Sequence, residues 1–210
     1  MEAGHDKPAN PAYVKGETAG RPPRPSRQTS SMRLFVGIAL PEDVRWQLSL
    51  LCSGLPNVRW APADNFHVTL RFIGEVDGGV MQDIDASLVG IRAPRFEMSL
   101  AGVGFFGNGS NIRVVWAGVD KSPPLQHLRD KVESAVVRAG LPPEGKKFTP
   151  HVTLSFSKGA PLPKLQAFLA HHSLFRTAPF EVTHFTLFSS FLGHEHASYH
   201  AERSYELSRA

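Results

Sequence analysis

The 210-residue sequence is poor in cysteine and has no long apolar segment, and both features exclude classes of protein. Its single cysteine, Cys52, cannot form an internal disulfide, so a disulfide-stapled scaffold is excluded. No stretch approaches the roughly 20 consecutive apolar residues of a membrane-spanning helix. The opening residues, MEAGHDKPAN, contain no apolar core typical of a secretory signal. We therefore expect a cytoplasmic protein without a membrane segment.

An excess of charge of one sign is also missing. The formal net charge is +4 at pH 7, and half of it comes from residues 1–31, which hold five basic and three acidic residues. The remaining chain can accept an anionic substrate, but its charge is not typical of an extended nucleic-acid groove.

Residues 1–31 contain almost no large apolar side chains and are rich in Pro, Gly, Arg and Ser. Such a segment cannot bury enough surface to offset its ordering entropy, which predicts a disordered tail. Met32 opens the abrupt apolar run MRLFVGIAL, and we hypothesise that it is the native first residue. The folded domain is expected to cover residues 32–210.

Within that domain the same order of elements occurs twice, which predicts pseudo-repeats at about 32–107 and 111–210. In each pass an apolar strand is followed by a proline-initiated amphipathic helix, a strand with the string His-Val-Thr-Leu, a second helix and a further strand. The predicted strands lie near 33–40, 58–60, 67–70, 95–103, 112–119, 151–154 and 180–189, and the predicted helices near 42–54, 79–91, 124–139 and 163–172.

The two His-Val-Thr-Leu strings carry the candidate catalytic residues. Side chains alternate between the faces of a strand, so His67 and Thr69 share one face, as do His151 and Thr153. The intervening Val and Leu side chains suit a core. By the same alternation Arg71 is expected on the His67 face. One such string is typical of an ordinary half-buried strand, whereas two at equivalent points of a duplicated pattern favour a functional site.

Two imidazoles and two hydroxyls across a cleft match the needs of phosphodiester cleavage. One imidazole can take a proton from water while the other donates one to the leaving oxygen. The ordinary histidine pKa near 6.5 allows either role near neutral pH. Threonine hydroxyls can donate hydrogen bonds to phosphate oxygens. This scheme requires no metal and no cofactor.

Two other clusters have simpler interpretations. His194, Glu195 and His196, with His200 nearby, lack a supporting ligand framework, so we interpret them as a solvated loop rather than a metal site. The glycines of residues 102–109 lack the Gly-Lys-Ser/Thr ending of a phosphate-binding loop, and we interpret that segment as a connection between lobes.

With these motifs in place, residues 32–210 resemble the 2H phosphoesterases, which are named for paired His-x-Thr/Ser motifs. The resemblance is closest to the RNA 2′,3′-cyclic phosphodiesterases, also called RNA 2′-5′ ligases. It is carried in order by MRLFVGIALPEDVR, VRWAPADNFHVTLRFIGEV, NIRVVWAGV, KKFTPHVTLSF and VTHFTLFSSFL.

The resemblance implies a bilobal α+β fold with two antiparallel sheets, backed by helices, and a central cleft. It implies hydrolysis of a terminal 2′,3′-cyclic phosphate, on RNA or on a nucleotide, to a 2′-phosphomonoester. His67 would then be the general acid and His151 the general base, with Thr69 and Thr153 binding the phosphate. We expect a monomer without a bound metal.

One position departs from the family. Many members carry an arginine two residues after the Leu of the second motif, where this chain has Phe156. Arg71 or Lys158 can compensate, so Arg71 is included as a predicted substrate-binding residue. Two alternatives stay open: a phosphodiesterase for small cyclic or ADP-ribose-derived diesters, and a non-catalytic module that binds RNA ends. Retention of both histidines and both threonines argues against the second.

Overall fold

The computed structural model describes residues 31–108, 111–157, 159–193 and 197–209. The residues of the predicted tail, except Ser31, lie outside these ranges. The strands are β1 Met32–Ala39, β2 Val58–Trp60, β3 His67–Val76, β4 Phe96–Met98, β5 Leu100–Asn108, β6 Asn111–Val119, β7 His151–Ser157, β8 Phe180–Val182, β9 His184–Leu192 and β10 Ala197–Glu206. The helices are α1 Glu42–Ser49, α2 Gly78–Val89, α3 Pro123–Arg138 and α4 Leu162–His171.

Eight of these strands form one antiparallel sheet, and the other two form a small second sheet. The order in the large sheet is β10-β9-β1-β3-β7-β6-β5, with β2 also paired to β7, while β4 pairs with β8. The predicted α+β class, with antiparallel sheets and helices, is confirmed.

The large sheet consists of two half-sheets that meet at one point. The first half-sheet contains β1, β3, β9 and β10, and the second contains β2, β5, β6 and β7. The pairing of β3 with β7 is recorded at a single position, Val68 opposite Val152. Beyond it, β2 replaces β3 as the neighbour of β7. The two His-Val-Thr-Leu strands therefore lie side by side at the centre of the sheet.

One face of the sheet packs against helices and forms the core. Val68 and Val152 are fully buried there, together with Leu70 and Leu154, as the alternation predicts. Two of the helices begin at capping residues that hydrogen-bond the first backbone N–H groups. Asp77 caps α2 by accepting hydrogen bonds from the backbone N–H groups of residues 79 and 80. Ser122 caps α3, which begins with prolines.

The described part of the glycine-rich segment, residues 102–108, lies within a strand, so its interpretation as a connection between lobes is wrong. It belongs to β5, which forms a hairpin with β6. Gly107 adopts a φ of 137° there, and a Cβ would stand 2.1 Å from the carbonyl oxygen of Asn111. Glycine is therefore required for the close approach of the two strands. Across the described helices, the combination of length and apolarity needed to span a membrane does not occur.

Candidate active site

His67 stands at the first position of β3, with its imidazole held on both ring nitrogens. Its Nδ1 lies 2.6 Å from the carbonyl oxygen of Asn65. A carbonyl only accepts hydrogen bonds, so Nδ1 carries the proton and donates it. The other nitrogen, Nε2, lies 3.1 Å from the hydroxyl of Thr69. The neutral ring therefore accepts at Nε2 on the side where the threonine lies.

His151 repeats this arrangement at the first position of β7. Its Nδ1 donates to the carbonyl oxygen of Thr149 across 2.7 Å. Both histidines thus bind the carbonyl two residues earlier in the chain, and both keep Nε2 for proton exchange. The ring of His151 packs edge-on against Phe106, with 4.8 Å between ring centroids.

Burial lowers the pKa of both imidazoles. For His67 the desolvation by burial brings the pKa to about 4, partly opposed by its bond to Asn65, and the nearby His151 lowers it further. Burial also lowers the pKa of His151, with the bond to Thr149 opposing the shift. Both rings are consequently neutral at pH 7 before an anion binds. The electrostatic effect of one on the other places them within interaction distance.

The register of β3 and β7 brings the four motif side chains together. Around the Val68–Val152 pair, antiparallel geometry sets His67 toward Thr153 and Thr69 toward His151. Each imidazole therefore neighbours a hydroxyl from the other strand. The antiparallel pairing thus places the two motifs side by side.

A cavity of about 440 Å³ opens on this face of the sheet and contains three of the four motif side chains, namely His67, Thr69 and Thr153. His151 is not part of the cavity lining. It lies on β7, two residues before Thr153. The volume falls in the range typical of sites for small ligands, roughly 300–1,000 Å³.

Arg71 does not lie on the His67 face, so that prediction is wrong. A β-bulge occurs in β3 between Thr69 and Arg71, because these residues pair with the consecutive residues Gly37 and Val36 of β1. Leu70 and Arg71 consequently both turn to the buried side. The Arg71 side chain is only 7% exposed.

On the buried side of the sheet, the Arg71 guanidinium binds two carboxylates and one backbone carbonyl of the segment that precedes β7. It forms ion pairs with Glu133 of α3 at 2.8 Å and with Glu144 at 3.1 Å. It also donates a hydrogen bond of 2.6 Å to the carbonyl oxygen of Pro142. Its described partners leave it no access to the cavity, so we do not retain it as a substrate-binding residue. The alternative, Lys158, lies outside the described residues.

The cavity contains functional candidates that the sequence did not single out. Arg33 and Arg59 line it, as does Tyr199 of β10, whose ring stands edge-on to His67 with 5.1 Å between centroids. Burial raises the pKa of that tyrosine. The alternation of Arg33 with Phe35 in β1 was a usable signal for the arginine. Tyr199 had none, because its position depends on the pairing of β9 with β10.

In the parts of the chain that the structure describes, no group of three or more His, Cys, Asp or Glu side chains can hold a metal ion. His194, Glu195 and His196 lie outside those parts. His200 belongs to β10, and its ring stands edge-on to Phe191 with 5.1 Å between centroids.

Comparison with known proteins shows the family to which the chain is similar over the range that contains both motifs. The family model described as the 2′-5′ RNA ligase superfamily matches residues 49–191, which include both histidines. An RNA 2′,3′-cyclic phosphodiesterase of Aeropyrum pernix is 42% identical over 113 residues, covering 53% of this chain and 64% of that protein. One of Methanothermobacter thermautotrophicus is 32% identical over 136 residues, covering 61% and 72% respectively. Thus less than two thirds of the A. pernix protein is matched.

The fold is similar to solved structures over more of the chain. The crystal structure of Escherichia coli LigT complexed with 3′-AMP superposes with a TM-score of 0.71 and 27% sequence identity. The superposition covers 85% of this chain and 99% of that one.

Proposed function

This chain belongs to the 2′-5′ RNA ligase superfamily, and on that premise we propose that it hydrolyses terminal 2′,3′-cyclic phosphates of RNA to 2′-phosphomonoesters. Relatives that carry the name RNA 2′,3′-cyclic phosphodiesterase support the substrate class. His67 acts as the general acid, His151 as the general base, and Thr69 and Thr153 bind the phosphate.

The observation that carries this proposal is the matched anchoring of the two imidazoles. Each donates its Nδ1 proton to a backbone carbonyl, which leaves Nε2 as the only ring nitrogen able to exchange a proton. They stand on adjoining strands, next to hydroxyls that can bind phosphate oxygens. A protein that only bound RNA ends would not need paired proton-transfer groups.

The reaction assigns one proton transfer to each histidine. Water attacks the phosphorus of the cyclic phosphate and gives a proton to Nε2 of His151. The bond between phosphorus and the 3′ oxygen breaks, and that oxygen takes a proton from Nε2 of His67. The product carries a 2′-phosphate and a free 3′-hydroxyl. Each positioned proton transfer typically contributes a factor of about 10²–10⁴ in rate.

The bound anion prepares the acid for this step. His67 is neutral in the free protein because burial lowers its pKa to about 4. A phosphate next to the ring favours the cationic form and raises that pKa. Thr69, whose hydroxyl already contacts Nε2, keeps the ring oriented toward the place where the phosphate binds.

The test uses a short RNA that ends in a 2′,3′-cyclic phosphate, incubated with the protein in excess EDTA. Products are resolved as 2′- or 3′-phosphates. His67→Ala and His151→Ala are compared with the wild type, and His127→Ala serves as a matched control because this exposed histidine lies on α3. We expect a 2′-phosphate product whose rate of formation falls by about 10²–10⁴-fold in both site variants and stays normal in the control.

Other outcomes would redirect the proposal. Tight binding of the RNA end without turnover would indicate the binding module. Turnover of small cyclic or ADP-ribose-derived diesters, without turnover of RNA, would indicate the other phosphodiesterase. Near-normal turnover in either histidine variant would refute the acid–base assignment.

We also propose that the protein acts as a cytoplasmic monomer. Cys52 is the single cysteine, and burial raises the pKa of its thiol to about 11, so the thiol stays protonated at neutral pH. It is therefore poorly suited to joining two chains through a disulfide. Light scattering of the purified protein tests the monomer, and a stable dimer would contradict it.

A further inference from the structure

The segment of residues 142–150, which leads from α3 to β7, has no regular secondary structure. Within the described ranges, none of its backbone N–H or carbonyl groups forms a hydrogen bond with another backbone group. It nevertheless supplies the carbonyl oxygen of Thr149, which accepts the Nδ1 proton of His151 across 2.7 Å. The tautomer of this histidine therefore depends on a stretch of chain that other groups must hold in place.

The equivalent acceptor of the first motif is held by the backbone itself. The carbonyl that binds His67 belongs to Asn65, which ends a short 3₁₀ turn. The backbone N–H of Asn65 donates to the carbonyl oxygen of Pro62 across 2.9 Å. Its side chain donates to the carbonyl oxygen of Ala197 across 2.7 Å. The two imidazoles thus share one tautomer, but their acceptors are held in different ways.

Side chains hold the acceptor segment of the second motif. Arg71 of β3 donates to the carbonyl oxygen of Pro142 across 2.6 Å and pairs with the carboxylate of Glu144 at 3.1 Å. The backbone N–H of Glu144 donates to the carboxylate of Glu133 on α3 across 2.7 Å. Glu133 also forms an ion pair of 2.8 Å with Arg71. The two side chains therefore bind the start of segment 142–150 together.

A further contact lies three residues before His151. The guanidinium of Arg129 on α3 stands over the ring of Phe148, 5.6 Å from the ring centroid. An ion pair of 3.7 Å joins Arg129 to Glu133. Arg71, Glu133 and Arg129 consequently form one continuous charge cluster, which contacts both the start and the end of segment 142–150. Phe148 immediately precedes the residue whose carbonyl binds His151.

The charge cluster is largely buried. The side chain of Arg71 is 7% exposed, that of Arg129 14% and that of Glu133 15%. Burying charges has a desolvation cost that their mutual attraction often only offsets, so stability alone does not account for the cluster. Its contacts indicate a role in geometry. Ser155 stands at the position of β7 that is equivalent to Arg71, so the buried cation belongs to one motif strand and acts on the segment before the other.

We propose that Arg71 is a positioning residue for His151, the proposed general base. With the rest of the charge cluster, its guanidinium holds segment 142–150 so that the carbonyl oxygen of Thr149 stays within reach of Nδ1. That hydrogen bond keeps the proton on Nδ1 and leaves Nε2 able to accept one from water. The strand that carries one histidine thereby orients the other. This proposal rests on the proposed function, since it takes His151 to be the base.

Arg71→Met tests the proposal through steady-state kinetics on an RNA that ends in a 2′,3′-cyclic phosphate. A base that is displaced, or that carries its proton on the wrong nitrogen, slows the chemical step, while the threonines that bind the phosphate stay in place. We expect kcat to fall by about 10- to 100-fold, as for a misplacement of about 1 Å. KM should change by less than about threefold. An effect confined to KM would overturn the proposal.

Two further variants separate positioning from stability, with all rates taken where melting curves show folded protein. Leu165→Ala destabilises a buried position of α4 whose apolar cluster, among the described residues, includes none of segment 142–150, so kcat should stay normal. Arg71→Met combined with Glu133→Gln regains part of the stability but not the contact with Pro142, so kcat should stay low. Recovery of kcat in step with stability would overturn the proposal.

Nitrogen NMR of the imidazole rings reports the tautomers without any substrate. The protein is labelled with ¹⁵N in histidine and measured at pH 7, and the signals are assigned with the two His→Ala variants. In the wild type both His67 and His151 should carry the proton on Nδ1. In Arg71→Met, His151 should shift toward the tautomer protonated on Nε2 while His67 stays unchanged. Leu165→Ala should leave both as in the wild type.

The NMR result stands apart from turnover. Wild-type signals of His151 in Arg71→Met would overturn the positioning role even where kcat falls. A shift of His151 in a protein that hydrolyses no cyclic phosphate would support the positioning role and refute the proposed hydrolysis. The two proposals can therefore fail separately.

Discussion

At the scale of single residues, the two histidines occupy equivalent strand positions in different surroundings. The His67 ring lies against Phe35 and Tyr199, with 4.7 and 5.1 Å between centroids, and its Nε2 contacts Thr69. His151 contacts Phe106 at 4.8 Å, and no partner for its Nε2 is found within the described residues. The repeated sequence thus yields two imidazoles that are alike in tautomer and unlike in packing.

These surroundings predict an acidic optimum for kcat/KM. In the reactive form His67 carries a proton on Nε2 and Nε2 of His151 carries none. The pH dependence of kcat/KM reports the pKa values of these groups in the free protein. Because both pKa values are lowered, to about 4 for His67, the singly protonated pair is populated mainly below pH 6.5. The profile should be bell-shaped, with its maximum below 6.5 and a fall of roughly tenfold per pH unit well above it.

The maximum of kcat should lie at higher pH than that of kcat/KM, because the bound phosphate raises the pKa of the acid. Both profiles are obtained from initial rates between pH 4 and 9, with melting curves at each pH to exclude unfolding. A kcat/KM that rises steadily through neutral pH would contradict the paired imidazoles.

At the scale of elements, the bulges of β3 and β7 decide which side chains reach the cavity. The four helices, most of the strands and the core placement of the motif Val and Leu residues follow from periodicity and were predicted from the sequence. No bounds were predicted for β10, and the strands predicted near 95–103 and 180–189 are each divided into two. The bulge could not be predicted, because it is defined by register with the neighbouring strand. Strict alternation therefore assigned Arg71 to the wrong face and did not place Phe72 in the lining of the cavity.

Arg71 is consequently predicted to act on stability. Arg71→Met removes the ion-pair partner 2.8 Å from the largely buried carboxylate of Glu133 and leaves Arg129, at 3.7 Å, as the remaining one. The free energy of unfolding should therefore fall by about 3 kcal/mol, the lower end of the range for breaking a buried pair. Urea denaturation measures the change. Combining Arg71→Met with Glu133→Gln removes the carboxylate charge that has lost its nearer partner and should restore part of the loss. A loss below about 1 kcal/mol in the single variant would be inconsistent with a buried, paired guanidinium.

At the scale of the whole molecule, each half-sheet combines strands from distant parts of the chain. The C-terminal strands β9 and β10 extend the half-sheet that holds β1 and β3, while β5 joins β6 and β7. The sequence indicates that the order of elements is repeated, but it does not indicate which strands pair with one another in the sheet. Such pairings depend on contacts between residues far apart in the chain, which a local pattern does not encode. The pseudo-repeat boundaries themselves stay a prediction.

Because the C-terminal strands β9 and β10 complete the half-sheet of β1 and β3, shortening the chain at its two ends should have unequal effects on stability. Removing residues 183–210 eliminates β9 and β10, exposes the edge of β1 and deletes the buried side chains Phe185 and Leu187. We expect that protein to lose cooperative unfolding and to aggregate. Removing residues 1–31 should leave the melting temperature and activity unchanged. Calorimetry of both proteins tests the pair, and a cooperative transition in the first would contradict the role of β9.

Each half-sheet is built from strands of both halves of the chain, which makes the molecule a candidate for a split enzyme. A cut between Asn108 and Asn111, in the hairpin of β5 and β6, gives one fragment with His67 and another with His151. Neither fragment can complete a half-sheet, because each half-sheet takes two strands from either side of the cut. We expect the fragments to be inactive alone and to recover hydrolysis only when they associate. Fused to two interacting proteins, they would report that encounter as release of a 2′-phosphate.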